Sequence, residues 1–191
     1  MRTMTAHLCV RRDPRSLPVL VGAALLQVAG AAQAGDVELA RGAAAIEPFK
    51  RELQQALLDG LSEGAVEAVG VCRLEAPKIA LAYSREGVRV GRTSHRLRNR
   101  ANAAPAWVQP ILDEYRKDAS SRSPRDVMLP NGRVGYTEPI VAKPLCLTCH
   151  GQSLDPAVAA RIEELYPDDR AVGFAAGDLR GVFWAELPAE P

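Results

Sequence analysis

The chain is most informative over residues 134–151, VGYTEPIVAKPLCLTCHG, where an apolar run is followed directly by two cysteines and a histidine. Val134 to Val141 follows the turn signal Pro130-Asn131-Gly132, a pattern that indicates the second strand of a hairpin. The residues after this strand form the pentapeptide Cys146-Leu147-Thr148-Cys149-His150. The sequence therefore predicts a β-strand that is followed directly by a motif of two cysteines and a histidine.

The pentapeptide has the C-x-x-C-H pattern of covalent haem c attachment. In such a site each thiol forms a thioether to a haem vinyl group, and the adjacent histidine becomes an axial ligand of the iron. We predict one haem c, attached through Cys146 and Cys149 and ligated by His150. Because only one such motif is present, the sequence excludes a multihaem electron wire.

Two other uses of a C-x-x-C pair are a disulfide and half of a zinc site. The disulfide is typical of a thioredoxin-like βαβ unit in which a helix begins at the first cysteine. Pro144 and Leu145 before the motif and Gly151 after it instead predict a loop. A zinc site requires four nitrogen or sulfur ligands, and the rest of the chain has too few clustered Cys and His residues to supply them.

The N-terminus has the pattern of a secretory signal, which agrees with haem c attachment on the far side of the bacterial inner membrane. Leu17 to Ala31 is an apolar segment too short for an ordinary membrane span, and Ala32-Gln33-Ala34 is a small-x-small cleavage site. The basic residues before them are Arg2, Arg11, Arg12 and Arg15. We predict a signal peptide over residues 1–34, export to the periplasm by general secretion, and one domain over residues 35–191.

The charge balance limits the class of partner. Residues 1–34 contain four of the 24 basic and one of the 23 acidic residues, which leaves 20 basic and 22 acidic residues after cleavage. A nearly neutral domain gives no reason to expect nucleic acid or an anionic membrane as a partner. No later segment is long and apolar enough to insert stably into a bilayer. The expected partner is a separate redox or signalling protein.

Hydrophobic periodicity predicts an α+β fold with a single antiparallel sheet and helices on one side of it. The predicted helices begin near Pro48 and end before Gly60, run from Ser62 towards Val71, include Trp107 to Tyr115, and follow the N-cap pair Asp155-Pro156. The predicted strand pairs are Ile79–Tyr83 with Val88–Thr93, Val127–Leu129 with Val134–Val141, and Ala171–Phe174 with Leu179–Leu187.

Four blocks of the sequence occur together in one known family. They are Ala65–Cys72 with Ala76–Ala80, Gly91–Ser94 with Arg98, Asn99 and Asn102, Cys146–Gly151, and Tyr166–Asp169 with Gly173, Phe174 and Gly177–Gly181. With these blocks the chain resembles the PAS-like c-type haem domain family, long catalogued as a domain of unknown function. The resemblance covers roughly Ala65 to Val182 and implies a PAS-like antiparallel sheet with flanking helices and one covalently bound haem.

The second axial position has three candidate residues, Cys72, His95 and Met128, and the alternative is an open or water-bound iron. An unpaired thiol such as Cys72 is a liability in an oxidising compartment, although a free cysteine is also often a small buried apolar residue. The resemblance implies that Cys72 binds the iron opposite His150. His95 lies in a polar, basic stretch typical of a solvated histidine, and Met128 lies in a predicted strand, which favours core packing.

Four arginines cluster in the second block, and we expect two of them, Arg92 and Arg98, to pair with haem propionates. A planar guanidinium can bind a carboxylate through two parallel hydrogen bonds. The alternative for both is a solvated basic edge of the sheet, the position expected for Arg96 and Arg100.

A covalent haem in this setting indicates electron transfer or redox and ligand sensing. The alternative is a haem enzyme, such as a peroxidase-like periplasmic protein, which requires an open iron and a distal acid–base pair. No His–Arg or His–Glu arrangement has a suggestive spacing, so we expect no enzyme.

Overall fold

The computed structural model describes residues 29–189. Most of the predicted signal peptide lies outside this range, so its cleavage before Gly35 stays a prediction. The helices are α1 (Ala29–Glu63), α2 (Ala65–Tyr83), α3 (Val108–Lys117), α4 (Leu147–His150) and α5 (Pro156–Leu165). The strands are β1 (Arg89–Thr93), β2 (Arg125–Met128), β3 (Val134–Val141) and β4 (Leu179–Leu187).

The four strands form one antiparallel sheet in the order β1-β4-β3-β2. The last strand of the chain is central, because Ala185 of β4 is paired with Val90 of β1 on one side and with Tyr136 of β3 on the other. The predicted hairpin of β2 and β3 is present, and Gly132 in its turn adopts a φ of 75°, a left-handed conformation that favours glycine. The predicted α+β class with a single antiparallel sheet is confirmed.

Helices cover both faces of the sheet, not one face as predicted. On one face, Ile46 and Phe49 of α1 pack against Ala185 of β4 and its neighbours. On the other face, Val108, Leu112 and Tyr115 of α3 pack against Leu179 and Val182. Because side chains alternate along a strand, β4 presents apolar residues on both faces of the sheet, and both faces have to be covered by helices.

Helix α2 is much longer than predicted, and the hairpin expected between Ile79–Tyr83 and Val88–Thr93 is wrong. Residues 79–83 are the last turns of α2, which continues through Pro77 just as α1 continues through Pro48. A Cβ on Gly60 would lie 2.8 Å from the Cα of Ala68, so this glycine allows α1 and α2 to pack very closely. Packing along α1 thus outweighs the lost proline hydrogen bond and the strand propensity of Ile79.

The predicted C-terminal hairpin is also wrong in its first half. Residues 171–174 form only one isolated parallel bridge, Gly151 with Phe174, while β4 pairs with β1 and β3. The predicted helix before this segment is present as α5, with the Asp155 side chain accepting hydrogen bonds from the first turn. Residues 171–174 therefore lie beside the Cys-x-x-Cys-His motif and not in the sheet.

Candidate functional site

The motif forms a short helical turn and not the loop that its flanking residues predicted. A 3₁₀ turn over Pro144–Cys146 is followed by α4, which ends at His150. Positions three residues apart lie on the same side of such a turn, so Cys146 and Cys149 present their thiols in one direction. Both thiols are free, and no cluster of three or more His, Cys, Asp or Glu residues that could bind a metal is present within residues 29–189. These observations support neither the disulfide nor the zinc alternative.

His150 is oriented by a hydrogen bond to the backbone. Its Nδ1–H donates to the carbonyl of Ala171 over 2.6 Å, which fixes the tautomer and leaves the Nε2 lone pair available. Burial, together with the nearby guanidinium groups of Arg180 and Arg98, lowers the pKa of His150 to about 2. The ring packs edge-on against Phe174, with centroids 6.4 Å apart. This neutral, immobilised imidazole is a suitable ligand for a metal.

The segment 171–174 holds the C-terminal end of the motif in place. Gly173 donates its backbone N–H to the carbonyl of Gly151 over 2.9 Å, and Phe174 donates to the carbonyl of His150 over 3.0 Å. From the other direction, Nη2 of Arg98 donates to the carbonyl of Cys149 over 2.5 Å. The position of His150 is thereby set by contacts with residues far away in sequence.

Helix α2 brings Cys72 to the same place. Cys149 packs beside Val69 of α2 and Ile162 of α5, so α2 and the motif share one apolar cluster. The thiols of Cys72 and Cys149 interact electrostatically. Burial raises the pKa of Cys72, whereas the positive charges of Arg92 and Arg98 act in the opposite direction. The structure thus brings together the predicted ligand Cys72, both predicted arginines and the motif.

Three guanidinium groups, of Arg92, Arg98 and Arg180, surround this junction, and they differ in how many partners they have. Arg98 is paired with Asp169 through both Nε and Nη2, each at 3.2 Å. In contrast, Arg92 has no hydrogen-bond or ion-pair partner within residues 29–189, and Nε of Arg180 is buried without one in the same range. Burial lowers the pKa of Arg180 to about 9, and the charges of Arg92 and Arg98 contribute. Such a group of cations favours a bound anion.

The structure also positions the other two candidate ligands, His95 and Met128. His95 is not a solvated surface residue. Its Nδ1 atom is buried and has no hydrogen-bond partner within the described residues, and its ring packs edge-on against Phe174. Its charged neighbours include Arg116 of α3, on the sheet face opposite α1. Met128 is not in the core as predicted, since it is 67% exposed on the edge strand β2. His95 and His150 contact the same Phe174 ring, so one aromatic side chain separates His95 from the motif.

Two residues of this site were missed by the sequence analysis. Arg180 was placed only within a predicted hairpin strand, yet it packs over the Phe174 ring at 5.2 Å and approaches His150. Asp169 was noted only as part of a block. The available signal was a single arginine within the otherwise apolar strand of residues 179–185, because a charge on a buried strand requires a partner.

The residues present fit a covalently attached haem. Two free thiols on one turn match the two vinyl groups, and His150 has one ring nitrogen available. The Arg92 guanidinium, which has no hydrogen-bond or ion-pair partner within the described residues, and the buried, unsatisfied Nε–H of Arg180 can donate to the two anionic propionates.

Comparisons with known proteins agree with this fit. A family model described as Tll0287-like matches residues 27–188. The crystal structure of the cyanobacterial heme-protein Tll0287 is similar with a TM-score of 0.56 and 25% sequence identity, over 76% of this chain and 93% of that chain. No curated protein matches the chain.

Proposed function

The chain belongs to the Tll0287-like family, and from this membership we propose that it is an exported monohaem c-type protein for electron transfer or redox and ligand sensing. The observation that supports the proposal most strongly is the meeting of Cys72, Cys149 and His150 beside the Arg92 guanidinium, which has no hydrogen-bond or ion-pair partner within residues 29–189, and beside the buried, unsatisfied Nε of Arg180. The similar cyanobacterial protein is a heme-protein, which supports the same cofactor here.

Each residue of the site has a defined role in this proposal. Cys146 and Cys149 would hold the haem covalently, and Nε2 of His150 and the Cys72 sulfur of α2 would ligate its iron. Bound haem would supply one-electron redox chemistry. A Cys72 thiolate, as a strong electron donor, would stabilise ferric over ferrous iron, and its bond would be the one that weakens on reduction. A single redox-labile ligand suits a sensor, and two retained ligands suit a carrier.

The location and the partner belong to the same proposal. Export to the periplasm and removal of residues 1–34 are required for haem c attachment, and α1 would then begin at Gly35. In the described part of the chain, no helix is long and apolar enough to cross a membrane. A separate redox or signalling protein is the proposed partner, and we propose no enzymatic reaction.

A redox titration of the protein, produced in a host that attaches haem c, tests the function. We expect one reversible one-electron transition. A carrier should remain low-spin in both oxidation states and should not bind added carbon monoxide. A sensor should bind carbon monoxide when reduced. The absence of any reversible transition would contradict both forms of the proposal.

The propionate assignment gives a separate prediction. Replacing Arg92 or Arg98 with Ala should lower the reduction potential, because a positive charge near the iron stabilises the reduced state. For one charge at roughly 10 Å and an effective dielectric constant near 20, Coulomb's law gives about 1.7 kcal/mol, or tens of millivolts. Arg92 should have the clearer effect, since Arg98 is already paired with Asp169. The thioethers should be retained in both variants.

Arg100 is the matched control for these variants. It lies nearby in sequence, is exposed, and is paired with Asp168 over 2.9 Å, so Arg100→Ala should leave the potential unchanged. Arg180→Ala should resemble Arg92→Ala. Equal potentials in the wild type and in the variants of Arg92 and Arg98 would contradict the pairing of these arginines with propionates.

A further inference from the structure

The ion pair of Arg98 and Asp169 is one of the most buried in the described part of the chain, with side chains 13% and 8% exposed. A buried pair is weak evidence for stability, because removing both charges from water costs several kcal/mol and is offset only by excellent geometry and further hydrogen bonds. The position of this pair therefore requires another explanation. The other hydrogen bonds of Arg98 and Asp169 indicate what this pair does.

Both partners bind the backbone of the same residue, Ala171. The Oδ1 atom of Asp169 accepts the backbone N–H of Ala171 over 2.9 Å, and Nη2 of Arg98 donates to the Ala171 carbonyl over 3.4 Å. That carbonyl is the acceptor for Nδ1–H of His150. The same Nη2 donates to the carbonyl of Cys149, the residue before His150. The pair thus contacts the imidazole's hydrogen-bond acceptor and the backbone that carries the imidazole.

The surrounding backbone restrains the pair. Asp169 donates its N–H to the carbonyl of Tyr166, and Arg170 donates to the carbonyl of Leu97, each over 2.9 Å. The Tyr166 ring lies 6.0 Å from the guanidinium of Arg98. Because both charged side chains are tied to fixed backbone, neither can move without displacing the Ala171 carbonyl.

We infer that Asp169 and Arg98 are positioning residues for His150, holding the Ala171 carbonyl so that it accepts from Nδ1–H at a fixed length and angle. The hydrogen bond to an axial histidine sets its orientation and its basicity, so the pair would control the electronic properties of the ligand through the Ala171 carbonyl. This inference rests on the proposed function and adds Asp169 to the site.

Asp169→Asn tests the inference with little change in shape. We expect hydrogen exchange of the Nδ1–H of His150, followed by NMR of the ferric protein, to become about tenfold faster or more, as expected for the loss of roughly one hydrogen bond. The reduction potential should rise, because a weaker acceptor makes the imidazole less electron-donating. Thioether content should equal that of the wild type. Asp168→Asn, a neighbouring carboxylate with an exposed partner, is the control and should change neither value.

Arg98→Lys is the second variant, because a lysine retains the charge but cannot bind Asp169 and two carbonyls in one plane. It should also accelerate exchange. If Asp169→Asn kept the exchange rate and the reduction potential of the wild type, the inference would be overturned. Loss of folding in both variants would also overturn it, because the pair would then be required for folding. Absence of thioethers in the wild type would instead overturn the proposed function.

Discussion

Replacing Cys146 and Cys149 together with Ser should abolish covalent haem. A serine hydroxyl does not form a thioether with a vinyl group, so no bond would survive denaturation. The measurement is acid–acetone extraction of protein produced with a cytochrome c maturation system. The wild type should retain its haem absorbance in the protein fraction, and the double variant should lose all of it to the organic phase. Each single variant should retain at most one thioether.

Two further variants distinguish covalent attachment of the haem from ligation of its iron. Cys72→Ser should retain full covalent haem, because Cys72 lies on α2 and outside the motif. His150→Ala should disturb the axial ligation, since no other histidine lies within the motif. Haem extracted from the wild type would contradict covalent attachment, and free motif thiols would then need another role.

Replacing Cys72 with Ala should remove a thiolate from the iron. In the ferric wild type, electron paramagnetic resonance should give a low-spin thiolate signal, and in Cys72→Ala that signal should disappear. The reduction potential should rise by roughly a tenth of a volt or more, because axial ligands move haem potentials over about 0.8 V. The physical reason is that a thiolate stabilises ferric iron more than a weaker ligand does.

Met128→Ala is the control, since Met128 is exposed on β2 and away from the motif. It should leave both the spectrum and the potential unchanged. If Cys72→Ala retained the wild-type spectrum, Cys72 would be only a packing residue of α2. His95 would then be the next candidate, and His95→Ala would be expected to change the spectrum.

The elements predicted correctly from sequence are those with local signals. Asp155 followed by Pro156 begins α5, and Pro130-Asn131-Gly132 connects β2 to β3, because caps and turns depend on only a few adjacent residues. The elements predicted incorrectly are those decided by packing. Residues 79–83 have strand propensity, but Ile79 is buried against α1 and extends α2 as a helix.

The same division applies to the candidate site. The motif and the unpaired Cys72 were identified from composition, spacing and a family resemblance. Arg180 was assigned to a hairpin that does not exist, and the role of Asp169 was missed, because both depend on where residues 171–174 lie. That position depends on the pairing of β4 with β1 and β3, which no local pattern specifies.

The sequence by itself therefore determined the covalent chemistry expected of this protein, since attachment requires only five contiguous residues, Cys146 to His150. The α+β class also followed from periodicity. Only the tertiary structure showed that Arg180 of β4 joins Cys72 of α2 and Arg92 of β1 beside that motif. These contacts arise because apolar faces pack together over long sequence separations, and packing brings polar groups into contact whatever their distance along the chain.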